Sequence, residues 1–226
     1  MAHFLAQTDT IGRIVLLLLL FMSLASWYVI ASRSAALLLE RRLSARFLGD
    51  FCMAPSAATL AYSLKDGGRD EPFSRLARHA LAARRNPGGD DPERLTRAIA
   101  RVIGDERARL ESGLTLLASV GSTAPFVGLF GTVWAVYHAL LSVGLSGQGT
   151  LDKVAGPVGE ALIMTALGLA VAVPAVLAYN AFVRANRLLL ARLEGFAHDV
   201  FAALAAGSRS GDGGAVVPLQ HAAAQA

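Results

Sequence analysis

The chain has 226 residues, 54% of them hydrophobic and 17% charged, with a mean hydropathy of +0.48 and a formal net charge of +4. Soluble domains average about 25% charged residues, so this composition points to a membrane protein. The basic residues crowd between apolar runs without the interleaved aromatics of a single-strand binder, which argues against nucleic acid as a partner. The single cysteine, Cys52, excludes an intramolecular disulfide and any Cys-rich metal site.

Residues 1–10 form a short polar start, read as external. The run Ile14–Ile30 is almost entirely apolar, with Trp27 and Tyr28 near its end as an interface belt would have them. A cleaved secretory signal competes with this reading, because Arg13 precedes the run and the Ser23-Leu24-Ala25 segment offers small residues within it. Apolar sequence continues past any such cut, and more arginines follow the run (Arg33, Arg41, Arg42, Arg46) than precede it. The segment 11–32 therefore reads as a retained first span, with its N-terminus outside and its far end in the cytoplasm.

Residues 33–111 are soluble in character and hold 15 of the 21 Lys and Arg and 11 of the 17 Asp and Glu. Apolar residues recur at helical spacing, as in Leu37, Leu38, Leu43, Phe47 and Phe51. Breaks at Lys65–Gly68 and Asn86–Asp90 divide this cytoplasmic domain into helices over 33–64, 70–85 and from 92 onward. Asp91-Pro92-Glu93 marks a helix start, with a capping acid, a proline in the first turn and an acid at the positive dipole end.

From Ser112 to Leu151 no residue is charged. The second span, 112–141, is expected to continue the helix from Pro92 without a break, giving about 50 helical residues or about 75 Å. A Gly-rich external loop follows at 142–156. The third span, 157–183, has no charged side chain after Glu160 and leaves the membrane at Arg184 and Arg187. Its helix extends through 184–207 in the cytoplasm, and 208–226 reads as a disordered tail. The fold class is an all-α membrane protein, with three transmembrane helices extended into a cytoplasmic helical bundle. Three helices are too few to enclose an aqueous path, so the subunit is expected to form a homo-oligomer in the lipid bilayer.

In the second span, Gly121, Ala124, Gly128, Gly131, Ala135 and Ala139 form a small-residue stripe that permits close helix approach. Thr165, Gly168, Ala172 and Ala175 repeat the pattern in the third. These positions suit helix packing and subunit contacts. Pro125 and Pro174 each remove a backbone donor and are candidate helix bends. Thr132 lies about 13 Å below the outer end of span two and Thr165 about 12 Å below that of span three, so they sit at one depth on antiparallel neighbours. Each could form part of a polar girdle, or simply bond the carbonyl a turn back on its own helix. Glu160 is either a protonatable group at a pore mouth or a first-turn acid favoured by the helix dipole. His138, near the outer end of span two, suits an interface. The five histidines show no metal-ligand spacing, so no metal or cofactor is expected. The chain lacks a phosphate loop, an H-E-x-x-H motif and a nucleophile elbow. An enzyme is therefore not expected, and an ion gradient is the natural energy source.

The stretches Gly121–Trp134 and Gly159–Ala170, followed by Pro174-Ala175 and Tyr179-Asn180, closely resemble the MotA/TolQ/ExbB proton-channel family. The resemblance covers roughly residues 110–200. It implies a homopentamer in the inner membrane of Gram-negative bacteria, with the second and third spans lining a pore. That pore would hold a single-span ExbD-like partner whose aspartate takes up the proton, and a TonB-like protein would carry the work to outer-membrane receptors for iron chelates and vitamin B12. The family's pore threonines fall on Thr132 and Thr165 and its span-three glutamate on Glu160. The order Gly156-Pro157 departs from the Pro-Gly of many members and shifts the apparent helix start by one residue. Phe126 and Gly156–Gly159 favour an ExbB-type role over a TolQ-type role in envelope integrity. A flagellar stator would need a further span, and a passive scaffold remains the alternative of a different class.

Overall fold

In a computed structural model of the chain, residues 10–53, 64, 71–85, 91–146 and 151–209 are described. All but residues 71, 91, 112 and 113 of these are helical, with no strand among them. The principal elements are α1 (Thr10–Met53), α2 (Pro72–Arg85), α3 (Pro92–Glu111), α4 (Leu114–Ser146) and α5 (Leu151–Arg209). Three stretches are long and apolar enough to cross a membrane: Thr10–Glu40, Pro92–Leu141 and Ala161–Ala205.

The helices divide into two compact units. The first takes residues up to Leu39 together with Ala108–Leu188. Its core is built from Val15 and Leu19 of α1, Leu114, Leu117, Val120 and Ala124 of α4, and Met164, Ala172, Ala175 and Phe182 of α5. The outer surface of this unit is greasy. Every large apolar side chain that stands well exposed among the described residues belongs to it, including Phe21, Leu24, Phe126, Val133, Leu162 and Leu177. Such a surface suits hydrocarbon or another helix and would be a liability in water.

The second unit takes Glu40–Arg107 and the chain from Leu189. It has the opposite pattern, with apolar residues inside and charge outside. Phe73, Leu76 and Ala80 of α2 pack with Leu95, Ile99 and Val102 of α3 and with Leu193, Phe196 and Val200 of α5. The spacing of three and four within each set is the amphipathic stripe of a water-exposed helix. Phe73 and Phe196 meet edge to face with ring centroids 5.5 Å apart. Arg75 forms a two-pronged pair with Glu106, at 2.5 Å and 2.8 Å, and both side chains are largely buried.

The helix starts follow local chemistry. The Asp91 carboxylate accepts the Glu93 backbone N–H at 3.0 Å, capping α3 ahead of Pro92. At α2, Pro72 occupies the first turn, the Glu71 carbonyl accepts from the Ser74 hydroxyl, and Arg84 and Arg85 close the last turn.

Three boundaries differ from the sequence expectation. First, α1 continues through residue 33 to Met53, because no glycine or proline interrupts it before Gly49. Second, α3 and α4 are not one helix. A turn at Ser112-Gly113 separates them, and Gly113 has φ of 80°, a left-handed conformation that glycine adopts freely. Third, the connection expected over 142–156 is much shorter. α4 runs to Ser146 and α5 begins at Leu151, so Gly156, Pro157 and Gly159 lie inside a helix. Each glycine weakens a helix by only about 1 kcal/mol and Pro157 by about 3 kcal/mol, but a chain entering lipid must satisfy its backbone internally, and the helix runs on through all three. The polar start and the tail beyond Arg209 lie outside the described residues.

Candidate functional site

Four small residues bring α4 and α5 together. A Cβ on Gly128 would stand 2.7 Å from the Met164 carbonyl oxygen and 3.0 Å from the Cα of Gly168. A Cβ on Gly168 would stand 2.7 Å from the Ala124 carbonyl oxygen. These contacts are with backbone, so no rotamer could relieve them. On one side of this crossing a Cβ on Gly131 would meet Met164 Sδ and Val15 Cγ1, each at 3.0 Å, and on the other side one on Gly121 would meet Val176 Cγ2 at 2.5 Å. The matching pairs, 121 with 176 and 128 with 168, show that the two helices run antiparallel. Ala172 is buried in the same seam and Ala135 is half-buried. The stripe of small residues is thus consumed by packing within one chain, with Val15 of α1 joining at Gly131.

One turn from the Gly128–Gly168 crossing, the two threonines meet. The hydroxyl oxygens of Thr132 and Thr165 are 2.5 Å apart. Thr132 Oγ1 also lies 3.1 Å from the Gly128 carbonyl and 3.2 Å from the Ala161 carbonyl of α5. Each hydroxyl has one proton to give. If Thr165 donates to Thr132, Thr132 donates onward to one of these carbonyls, and Thr165 Oγ1 keeps lone pairs for a further donor. The pair is half-buried.

The other hydroxyls of span two behave differently. Ser122 and Thr123 both donate back to the Ser119 carbonyl of their own helix, at 3.1 Å and 2.7 Å. Pro125 and Pro174 lie within α4 and α5, and helix continues on both sides of each. Toward the end of α4, Trp134 stacks against Phe130 at 6.4 Å and touches Tyr137 and His138.

Glu160 sits ten positions into α5, more than two turns from its start at Leu151. The dipole effect falls off within the first turn, so the first-turn explanation of this acid does not hold. Its side chain lies outside the described residues. Its neighbour Ala161 supplies a carbonyl to Thr132.

Sequence reading missed three polar residues. The Arg33 guanidinium donates to the carbonyls of Arg109 (3.1 Å) and Ser112, and the buried Asn186 amide donates to the Leu110 carbonyl at 2.8 Å. All of these acceptors flank the Gly113 turn. An amide between the two boundary arginines, Arg184 and Arg187, was the only available signal for Asn186. The third is Glu71, buried in the second unit, with one carboxyl oxygen lacking a hydrogen-bond partner. Burial pushes its pKa above the usual value and Glu40 adds to this, against the Ser44 hydroxyl and Arg75.

The profile of the MotA/TolQ/ExbB proton channel family matches residues 69–195. The chain is 41% identical over 208 residues to the biopolymer transport protein ExbB of Xanthomonas campestris pv. campestris, strain B100, covering 87% of this chain and 82% of that protein. It is 39% identical over 199 residues to ExbB of Neisseria meningitidis serogroup A, covering 82% and 88% respectively. It is also 33% identical over 208 residues to the Tol-Pal system protein TolQ of Pseudomonas aeruginosa, covering 88% and 90%. With the profile spanning more than half its length and these relatives most of it, the chain belongs to the MotA/TolQ/ExbB proton channel family.

Proposed function

We propose that this chain is the pore-forming subunit of an inner-membrane motor driven by the proton gradient. In this reading several copies, five by analogy with the family, surround a lumen that holds an ExbD-like single-span partner. The partner's carboxyl group carries the proton, and a TonB-like protein passes the work to outer-membrane receptors for iron chelates and vitamin B12. The N-terminus is periplasmic and the C-terminus cytoplasmic, as the arginines after spans one and three favour.

The observation that carries the reading is the Thr132–Thr165 pair. Two hydroxyls that bond each other across a helix pair leave an acceptor on Thr165 within an otherwise apolar seam. A protonated carboxyl on a partner helix is a donor suited to that acceptor, and after deprotonation the hydroxyls can turn to donate to the carboxylate. The proton moves on the partner, and the threonines stabilise both of its charge states. Glu160, one residue from the Ala161 carbonyl that Thr132 reaches, is five residues before Thr165, about 7.5 Å nearer the outer end of the span.

Replacing both threonines with valine keeps their shape and removes the hydroxyls. The double variant Thr132→Val/Thr165→Val is expected to assemble normally and to lose gradient-dependent iron-chelate uptake. Full uptake in an assembled double variant would refute the pathway.

The TolQ-type role shares this chemistry and is kept in view by the 33% identity to a TolQ protein. A deletion strain that starves for iron but resists detergent supports the ExbB-type role, and the reverse phenotype supports TolQ.

A further inference from the structure

We propose that the Ser112-Gly113 turn is a latched joint, held in its broken form by Arg33 and Asn186 and able to close into continuous helix when that latch is released. In an unbroken helix the carbonyls of Arg109, Leu110 and Ser112 would accept from the N–H groups of Gly113, Leu114 and Leu116. Here the same three carbonyls accept from side chains instead, two from Arg33 on α1 and one from Asn186 on α5. The first backbone bond after the turn is a long one, from Leu117 N–H to the Gly113 carbonyl at 3.4 Å. Of the three, the Leu110 carbonyl is buried, where a bare acceptor is costly, while those of Arg109 and Ser112 lie at an exposed edge of the turn. Asn186 thus removes the main cost of the break, and Arg33 ties its outer edge to α1.

The continuous alternative is close at hand. Leu110, Leu114 and Leu117 are all buried, and their spacing of four and three is that of one uninterrupted helical face. Among Ala108–Ala118 the only poor helix former of consequence is Gly113 itself, and there is no proline. The turn also leaves room for a side chain. A Cβ on Gly113 would meet Val29 Cγ1 at 3.4 Å and Arg33 Nε at 3.7 Å, which are ordinary contacts. Only the φ of 80° objects to alanine there. The sequence thus supports both states locally, and the choice between them rests with residues on the first and third spans. Movement of either span relative to the joint alters the grip of Arg33 or Asn186. That makes these two positioning residues for the motor, and this functional half rests on the reading above.

The test is amide hydrogen exchange over residues 108–118 of the purified full chain in lipid nanodiscs. It compares wild type with Gly113→Ala, and with Arg33→Met/Asn186→Leu. Closing the helix gives the N–H groups of residues 113–116 partners they lack in the broken form. Exchange there is expected to slow by about tenfold in both variants, with that over 170–182 unchanged. A merely structural role for Arg33 and Asn186 gives the opposite result, since losing caps frays the ends and speeds exchange. Faster or unchanged exchange in Gly113→Ala overturns the proposal, and that variant is sterically tolerated even if the double variant fails to fold. Proton-driven uptake is expected to fall in the variants whose exchange slows, and full uptake in them would overturn the functional half. Absence of gradient-dependent uptake in wild type would count against the motor and leave the exchange result standing.

Discussion

Gly168→Ala isolates the closest approach between the two spans that carry the threonines. The new Cβ would lie 2.7 Å from the Ala124 carbonyl oxygen and 3.0 Å from the Cα of Gly128. Carbon atoms in good contact sit about 3.5–4.0 Å apart, so the helices must separate by about 0.5–1 Å. Overpacking of this kind costs about 1–3 kcal/mol, and the upper half applies because both obstacles are backbone. Alanine returns about 1 kcal/mol through its helix propensity. The net loss is about 1–2 kcal/mol, read as a melting decrease of about 2–4 °C per kcal/mol. The same separation stretches the Thr132–Thr165 contact from 2.5 Å toward the limit of a hydrogen bond. Thermal unfolding of the purified assembly and gradient-dependent uptake should therefore fall together. Gly195→Ala is the matched control: nothing lies within 4 Å of its Cβ, and the exposed alanine should stabilise by about 0.4–1 kcal/mol. If Gly168→Ala melts and functions like wild type, the close packing at this crossing is not what holds the pair together.

Two further predictions concern the second unit. Glu106→Ala strands the largely buried guanidinium of Arg75 and should cost about 3–5 kcal/mol, measured as lost thermal stability; a change below about 1 kcal/mol would mean that water reaches the pair. Glu71→Gln should raise the melting temperature at about pH 8, because the wild-type acid must lose its proton in a buried setting. Since the folded pKa is raised above the ordinary 4.5, wild-type stability falls as pH rises from that value through the raised one. The advantage of the glutamine variant should accordingly vanish as the pH drops toward 4.5, and a variant that melts lower than wild type at about pH 8 would refute the assignment.

Much of the fold was legible because membrane spans and amphipathic helices announce themselves through composition and period. The three apolar stretches and the capped start at Asp91-Pro92 are read from residue types alone. Helix continuity was the weak point, and it failed in both directions. Gly156-Pro157-Val158-Gly159 looks like punctuation and is helical, while Ser112-Gly113 looks harmless and is a turn. Propensity costs of about 1 kcal/mol for glycine and about 3 kcal/mol for proline do not by themselves decide such cases. What decides the second is the supply of alternative donors to Arg109, Leu110 and Ser112, from residues 76 to 79 positions away in the chain.

The site shows the same division between local and distant causes. That Thr132 and Thr165 occupy one depth follows from counting residues along two antiparallel helices, and the 2.5 Å contact agrees with that count. The contact itself needs something depth does not supply, which is proximity. Threonine hydroxyls on helices packed at the usual 8–10 Å axis separation would more readily turn back on their own carbonyls, as Ser122 and Thr123 do one to two turns before the crossing. Gly128 and Gly168 remove the side chains that would enforce that separation, and their Cα atoms meet so closely that a Cβ on either would fall 3.0 Å from the other's Cα. The glycines and the threonines are therefore one device: the first pair sets the distance at which the second pair meet, Thr132 keeping its own Gly128 carbonyl within reach as well. It follows that the presence of both hydroxyls alone should not rescue a widened crossing. Thr165→Ser in a Gly168→Ala background keeps the hydroxyl chemistry and is expected to keep the reduced uptake of Gly168→Ala, whereas Thr165→Ser alone should retain uptake; wild-type uptake in the combined variant would separate the two pairs and leave the hydroxyls to act singly.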